Sequence, residues 1–94
     1  MLVVGRKELD VFMTAHADSR SPLTTWLARA TVARWQSPQD VLQWYPRASV
    51  IRKGFLVFDI KGNDYRLAAR VDFANGVVRV LRVGTHAEYD KWDL

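Results

Sequence analysis

The spacing of apolar residues changes once along the chain, from a helical period to an alternating one. Before Pro46, apolar residues recur three and four positions apart, as they do on one face of a helix. Beyond Pro46 they alternate with polar residues, as in strands that bury one face. The pattern therefore predicts helices first and a sheet second, which is an α+β architecture.

A short strand and two helices are predicted in the first part of the chain. The strand covers residues 2–4, and the first helix covers residues 6–17. Ser21-Pro22 has the form of an N-cap followed by Pro at the first helical position. The second helix is therefore predicted to begin there and to end near Gln36.

A third, short helix is predicted directly before the change of period. Ser37-Pro38 repeats the start signal of the second helix. Proline disfavours the α region at the residue before it, so the Tyr45-Pro46 step ends this helix.

Three β-rich runs follow, and two turn signals separate them. The runs cover residues 55–60, 65–73 and 77–83. The first turn, Gly62-Asn63, and the second turn, Asn75-Gly76, are strong hairpin signals, so the runs are predicted to form an antiparallel meander. A chain of 94 residues can bury one core but hardly two, so we expect a single domain over residues 1–94.

The two turns also predict which side chains share a face of the sheet. If the second turn is a two-residue loop, Asp72 opposes Arg79, and Arg66 lies across from Thr85. The first turn sets Asp59 opposite Arg66 in the same way. Facing the helices are then Tyr65, Leu67, Ala69, Val71 and Phe73, and facing away are Lys61, Arg66, Ala68, Arg70 and Asp72. The basic members of the outward set are thus predicted to gather on the open side of the sheet.

The segment after the last strand carries a helix start signal. Thr85 and Glu88 have the spacing of a capping box, so a short C-terminal helix is predicted from this point. Its free backbone N–H groups and positive dipole end would favour an anion. His86 and Tyr89 lie three residues apart and would project from the same side. The sequence therefore predicts a phosphate seat at Thr85, with an imidazole and a phenol beside it.

Charge and composition favour an anionic partner. The formal net charge is +4, and nucleic acid is the commonest anionic partner of a small basic protein. The absence of cysteine excludes disulfides and Cys-ligated zinc and fits a reducing cytoplasm. No apolar run approaches the roughly 18 residues of a membrane span, so we expect a soluble cytoplasmic protein without membrane contact. The aspartates have no two-metal spacing, and His86 lacks an obvious ligand partner, so neither a metal nor another cofactor is expected.

The chain resembles the HigB-type messenger-RNA-cleaving toxins of bacterial toxin–antitoxin pairs, within the RelE-like superfamily. The segments that carry the resemblance are Ile60-Lys61-Gly62-Asn63, Tyr65-Arg66-Leu67 and the terminal Val83-Gly84-Thr85-His86-Ala87-Glu88-Tyr89-Asp90-Lys91. The resemblance implies a RelE-like fold, in which N-terminal helices pack on one face of a twisted antiparallel sheet. Two departures are acidic: Asp64 stands where the family often has a basic residue, and Asp59 lies beside Arg66.

The resemblance also implies an activity and a set of partners. Family members are endoribonucleases, and many cut messenger RNA held in the ribosomal A site. A HigA-like antitoxin with a helix-turn-helix domain usually neutralises them, so operator DNA is expected to be a partner only through the antitoxin.

RNA can be cut without a metal if its 2′-OH attacks the adjacent phosphorus, which requires a base, cations for the developing charge and a proton donor. We hypothesise that Lys61 and Arg66 stabilise the phosphate and that His86 is either a neutral base or a proton donor. Tyr89 is expected to stack on the substrate or to hydrogen-bond it. The further residues expected to bind RNA are Asn63, Arg70, Arg79 and Thr85.

Alternatives stay open at the level of sequence. The same basic face would suit a non-catalytic module that binds RNA or the ribosome, or a degenerate toxin kept for antitoxin binding and operon regulation. Arg66 would then only pair with Asp59. The four tryptophans fit either the core or a partner surface. His16, near the predicted end of the first helix, has no constellation of candidate residues around it and is predicted to be a surface residue.

Overall fold

One five-stranded sheet carries the three N-terminal helices on a single face. The computed structural model describes residues 1–93. In chain order, the elements are β1 (Leu2–Val4), α1 (Arg6–Ala15), a single 3₁₀ turn (Ala17–Ser19), α2 (Arg20–Val32), α3 (Pro38–Trp44), β2 (Ser49–Arg52), β3 (Phe55–Ile60), β4 (Tyr65–Asp72), β5 (Val77–Thr85) and α4 (His86–Tyr89). The strand order is β1-β5-β4-β3-β2. The α+β class and the short C-terminal helix are as predicted.

The sheet is mixed rather than antiparallel, which corrects the prediction. β2, β3, β4 and β5 are antiparallel neighbours, but β1 pairs with β5 in parallel. A hairpin pattern describes only strands that follow one another, so it could not orient the isolated β1. All four residues of β2 are exposed, so this edge strand lacks the alternation that marks a half-buried one.

The second helix begins one residue before the predicted N-cap. Ser19 is the N-cap of α2, and Arg20 is the first helical residue, so Ser21 lies inside the helix. The Ser19 hydroxyl donates to the His16 carbonyl oxygen at 2.6 Å and does not cap the helix. Pro22 is still in the first turn, where a backbone N–H needs no helical partner. The first helix also ends two residues earlier than predicted.

The second helix ends at Val32 rather than near Gln36. Ala33 takes an extended conformation with ψ of 154°. The extended segment brings Trp35 into the core, where its ring lies 6.3 Å from that of Phe58. Burial of a large aromatic side chain therefore overrides a helical pattern that had no local stop signal.

The third helix follows its start signal. The Ser37 hydroxyl accepts a hydrogen bond from the Asp40 backbone N–H at 3.4 Å, and Pro38 is the first helical residue. Tyr45 ends the helix, as the following proline predicts.

The register between β3 and β4 is as predicted, and that between β4 and β5 is shifted by two residues. Asp72 opposes Val77, and Arg70 opposes Arg79. The β4–β5 turn is longer than two residues because Asp72 binds it: its carboxylate accepts from the Asn75 backbone N–H at 3.1 Å and from the side-chain amide at 2.9 Å. A shift of two residues leaves every side chain on its predicted face.

A bulge then changes the pairing in the middle of β4. The register shifts between Ala68 and Ala69, so Arg66 lies opposite Gly84 and not opposite Thr85. Thr85 pairs with Tyr65 instead.

The core lies between the helices and the inward face of the sheet. The helices contribute Leu9, Phe12, Leu23, Trp26, Ala30 and Val41, and the sheet contributes Leu56, Phe58, Ile60, Leu67, Ala69, Val71, Val78 and Val80. Trp26 and Trp35 are buried, whereas Trp44 is 42% exposed. Among residues 1–93, no helix is both long enough and apolar enough to cross a membrane.

Candidate active site

Several contacts hold the guanidinium of Arg66 on the outward face. Its Nε lies 3.3 Å from Asp59 Oδ1, and one Nη donates to the Asn63 backbone carbonyl at 2.7 Å. Its guanidinium carbon lies 5.5 Å from the centre of the Tyr89 ring. The side chain is only 12% exposed. These contacts hold the guanidinium in one orientation, which is what preorganised stabilisation of a phosphate requires.

Asp59 lies close to a second arginine besides Arg66. Arg47 Nε lies 3.7 Å from the other carboxylate oxygen of Asp59. The predicted pair of Arg66 with Asp59 is therefore present, but two guanidinium groups share one carboxylate. The local charge stays positive.

The predicted capping box is present at the end of β5. The Glu88 backbone N–H donates to Thr85 Oγ1 at 3.1 Å, and the Thr85 N–H donates to Glu88 Oε1 at 2.9 Å. The second bond is the main reason that the pKa of Glu88 is lowered, so a carboxylate already lies at the helix start.

The phosphate seat predicted at this helix start is largely filled by the protein itself. The His86 backbone N–H donates to the Asp64 carbonyl at 3.1 Å, and the Glu88 N–H is used by Thr85. Neither N–H is available to a phosphate. Thr85 therefore positions the start of α4 through its cap, while the exposed side chain of His86 remains accessible. We call the junction of β5 and α4, together with Arg66, His86 and Tyr89, the corner.

Trp92 supports this corner, although the sequence did not single it out for the site. Its ring meets that of Tyr89 edge to face, with centroids 5.6 Å apart. A Cβ atom on Gly84 would lie 2.6 Å from the Trp92 ring. Only glycine at this position of β5 leaves room for the indole, and a glycine inside a strand was the available signal of close packing. The Trp92 ring thus packs against the Tyr89 ring, which in turn lies beside the Arg66 guanidinium.

Lys61 does not share the outward face with Arg66, which corrects the prediction. Its ammonium lies 2.8 Å from Asp18 Oδ2 and 3.6 Å from Asp64 Oδ2. Lys61 has a φ of +53°, a left-handed conformation that ends the alternation of side chains along the strand. The side chain therefore turns towards the helical side at the end of the sheet. Its pKa is raised, chiefly by the hydrogen bond to Asp18.

A second polar cluster surrounds Asp18 on the helical side. Asp18 Oδ1 accepts from the Tyr65 hydroxyl at 2.5 Å, and the bonds from Lys61 and Tyr65 lower the pKa of Asp18. The His16 ring stacks on Phe12, with centroids 4.3 Å apart, and lies 5.4 Å from that of Tyr65. The prediction that His16 is an isolated surface residue is therefore wrong. Contacts over more than 40 positions of sequence unite this cluster, so no local motif signalled it.

The remaining predicted RNA contacts are separated along the sheet. Asn63 is exposed, and its backbone carbonyl binds Arg66. Arg70 lies four positions along β4 from Arg66 and directly opposite Arg79 of β5. Both arginines are exposed. Within residues 1–93, no group of three His, Cys, Asp or Glu side chains is arranged to hold a metal ion.

Comparison with known protein families decides the class of this chain. The HigB_toxin family, described as the RelE-like toxic component of a toxin–antitoxin system, matches residues 19–92. The chain belongs to this family. A search of curated proteins returned no match.

The matched segment contains β2 to β5 and α4, and therefore Arg66, His86 and Tyr89. It begins at Ser19, one residue after Asp18. The resemblance drawn from the sequence is thus confirmed for the family, and this HigB-family chain is a toxin whose partner is an antitoxin. Its α+β architecture is consistent with a RelE-like fold.

Proposed function

We propose that this toxin is an endoribonuclease that cleaves messenger RNA on the translating ribosome, in the cytoplasm, and thereby inhibits translation and growth. A HigA-like helix-turn-helix antitoxin is its proposed inhibitor and its link to operator DNA. The observation that carries the proposal is the fixed guanidinium of Arg66, which contacts Tyr89 one helical turn from the exposed His86. Family membership supplies the toxin class, and this arrangement supplies groups suited to the reaction.

The proposed reaction uses a nucleophile that RNA carries itself. The 2′-oxygen forms a bond to the adjacent phosphorus and loses its proton, and the bond from phosphorus to the 5′-oxygen breaks as that oxygen gains a proton. The products are a 2′,3′-cyclic phosphate and a 5′-hydroxyl. Arg66 stabilises the charge that develops on the phosphate oxygens. His86 exchanges a proton at one of the two reacting oxygens, and Tyr89 orients the substrate by stacking or hydrogen bonding.

Lys61 can contact RNA only after it leaves its acidic partners. Its ammonium is charged and bound to Asp18 and Asp64, so it must leave both carboxylates to contact a phosphate. We propose that Lys61 binds a phosphate of the RNA in exchange for Asp18 and Asp64. Asn63, Thr85, Arg70 and Arg79 are proposed to hold the strand.

A degenerate toxin kept for antitoxin binding is the second candidate. Two of the cations proposed for the reaction already have acidic partners, because Asp59 pairs with Arg66 and Asp64 lies near Lys61. Such pairs reduce the positive charge that RNA meets. A non-catalytic module that binds RNA or the ribosome would use the same face.

Cleavage of a defined messenger RNA, with and without ribosomes, tests the proposal. The test compares wild-type toxin with His86→Ala, Arg66→Ala and Tyr89→Phe, and Lys7→Ala, an exposed cation on α1, serves as the matched control. We expect the His86 variant to lose about 100-fold or more in rate, with 5′-hydroxyl products from the wild type. Wild-type rates in all three site variants, or intact transcripts throughout, would contradict the nuclease. Growth arrest that the antitoxin relieves, without transcript cleavage, would favour the degenerate toxin.

A further inference from the structure

Three arginines and one phenylalanine form a row across four strands of the outward face. Arg52 pairs with Phe55, Phe55 pairs with Arg70, and Arg70 pairs with Arg79. The guanidinium carbons of Arg52 and Arg70 lie 4.4 and 5.3 Å from the centre of the Phe55 ring. Strands lie about 4.8 Å apart, so the row is about 14 Å long. We call these four residues the arginine row.

Two members of the arginine row, Arg70 and Arg79, carry charge that no salt bridge within residues 1–93 neutralises. Arg70 and Arg79 oppose each other directly, an arrangement of like charges that destabilises a sheet. Within residues 1–93, no carboxylate lies within ion-pair distance of Arg70, Arg79 or Lys53, although the carboxylate of Asp72 is nearby. Bonds from Asn75 are the main cause of the lowered pKa of Asp72 and already use both of its carboxylate oxygens, so the charge of Arg70 acts on Asp72 only as a smaller contribution to that shift. The row therefore suits an anionic ligand.

An open groove of about 1200 Å³ lies beside the row. The turn after β2, the β4–β5 turn and the start of α3 line it, and Lys53, Arg70 and Arg79 are among its lining residues. A flexible chain with repeated negative charges fits such a groove better than a single compact anion does.

We propose that the arginine row, with Lys53, is a second subsite for single-stranded RNA, remote from the proposed cleavage corner. Cations that follow a backbone, combined with flat groups on which bases stack, are the features by which proteins hold single strands. Arg70 lies four residues along β4 from Arg66, or about 13 Å. One strand of RNA can therefore contact the row and the corner together. This inference rests on the proposed function, because it assumes that RNA is the ligand of this face.

Binding of an RNA that cannot be cleaved isolates the row from the chemistry. The probe is a fluorescent 2′-O-methyl oligoribonucleotide of mixed sequence, which lacks the attacking hydroxyl, in a series from dinucleotide to decanucleotide. Anisotropy is measured over a range of salt concentrations. The variants are Arg70→Gln with Arg79→Gln, and Phe55→Leu, and the control is Arg34→Gln, an exposed arginine outside the sheet. Thermal unfolding confirms that each variant is folded.

We expect the double arginine variant to weaken binding of long probes about tenfold or more, and to lower the salt slope by about 0.7 per lost phosphate contact. Phe55→Leu should weaken binding about fivefold or more with an unchanged salt slope, because it removes the ring over which Arg52 and Arg70 lie and removes no charge. Short probes, which cannot span the two sites, should respond less. In cleavage assays, the row variants should raise KM and leave kcat unchanged.

The outcomes separate this inference from the proposed function. Wild-type binding by both row variants, while Arg66→Ala loses cleavage, overturns the row and leaves the nuclease standing. Row-dependent RNA binding by a toxin that cleaves nothing overturns the nuclease and supports the row. If the row variants bind RNA as the wild type does but escape inhibition by the antitoxin, the row is not an RNA subsite. It would then contact an acidic segment of the antitoxin.

Discussion

Gly84 lies directly beneath the Trp92 indole, where a Cβ atom would be 2.6 Å from the ring. Gly84→Ala should therefore displace the indole and, with it, the Tyr89 ring that Trp92 supports. We expect a loss of about 1–3 kcal/mol in the free energy of unfolding, together with slower RNA cleavage. Urea unfolding followed by tryptophan fluorescence measures the first effect. The same substitution in a Trp92→Leu background should cost less, and an equal cost in both backgrounds would contradict the contact.

Asp59 holds Arg66 in place but also reduces the positive charge near the proposed cleavage site. Asp59→Asn keeps the size of the side chain and one acceptor oxygen, and it removes the charge. We expect it to tighten binding of uncleavable RNA about twofold or more at low salt, with a smaller effect as salt rises. Asp10→Asn, which removes an exposed charge from α1, is the control. Equal gains in both variants would show a general charge effect instead of one at Arg66.

Asp18 should make the stability of the toxin depend on pH. Bonds from Lys61 and Tyr65 lower the pKa of Asp18 from its ordinary value of 3.8. This stabilisation is complete above pH 3.8 and is lost as the pH falls through the pKa of the folded state. In Asp18→Asn, the loss of unfolding free energy between neutral and acid pH should therefore be smaller than in the wild type.

The stability at alkaline pH tests the Lys61–Asp18 pair independently. Asp18 raises the pKa of Lys61 above 10.5, so its contribution is present below that pH and is lost as the pH rises through the pKa of the folded state. Asp18→Asn should flatten this decline as well. Urea unfolding over the pH range tests both arms, and parallel curves for wild type and variant would refute the assignment.

Gly5 should be sensitive to substitution for two separable reasons. Its φ is +84°, and a Cβ there would lie 2.5 Å from the Val80 carbonyl oxygen of β5. Gly76 shares the positive φ, at +68°, but has open space around it. Both Gly5→Ala and Gly76→Ala should lower the free energy of unfolding, by about 1 kcal/mol for Gly76 and by more for Gly5. Equal losses would indicate that the close approach of α1 to β5 has no cost of its own.

Local chemistry predicted the elements whose signals lie within a few residues. The start of α3, the capping box at Thr85 and the register between β3 and β4 all follow from short-range hydrogen bonds and turn preferences. Alternation along β4 predicted correctly that Arg66 and Arg70 face away from the helices, and it survived the shifted register because that shift is an even number of residues.

Contacts between distant segments decided what the sequence did not reveal. The end of α2 depends on the space that the core offers Trp35, and the direction of Lys61 depends on Asp18, a residue 43 positions away. The arginine row unites four strands, and its geometry requires the β4–β5 pairing beyond the bulge at Ala68 and Ala69 together with the exposed edge strand β2.

By itself, the sequence determined the α+β class, the outward direction of the strand arginines, the cap before His86 and the resemblance to HigB-type toxins. Only the tertiary structure decided that β1 joins the sheet in parallel, that Lys61 bonds to Asp18 on the helical side, and that Trp92 supports Tyr89 over Gly84. The physical reason is the distance along the chain over which each kind of interaction acts. Backbone preferences and alternation act between near neighbours, whereas burial and charge pairing act between whichever groups the fold brings together.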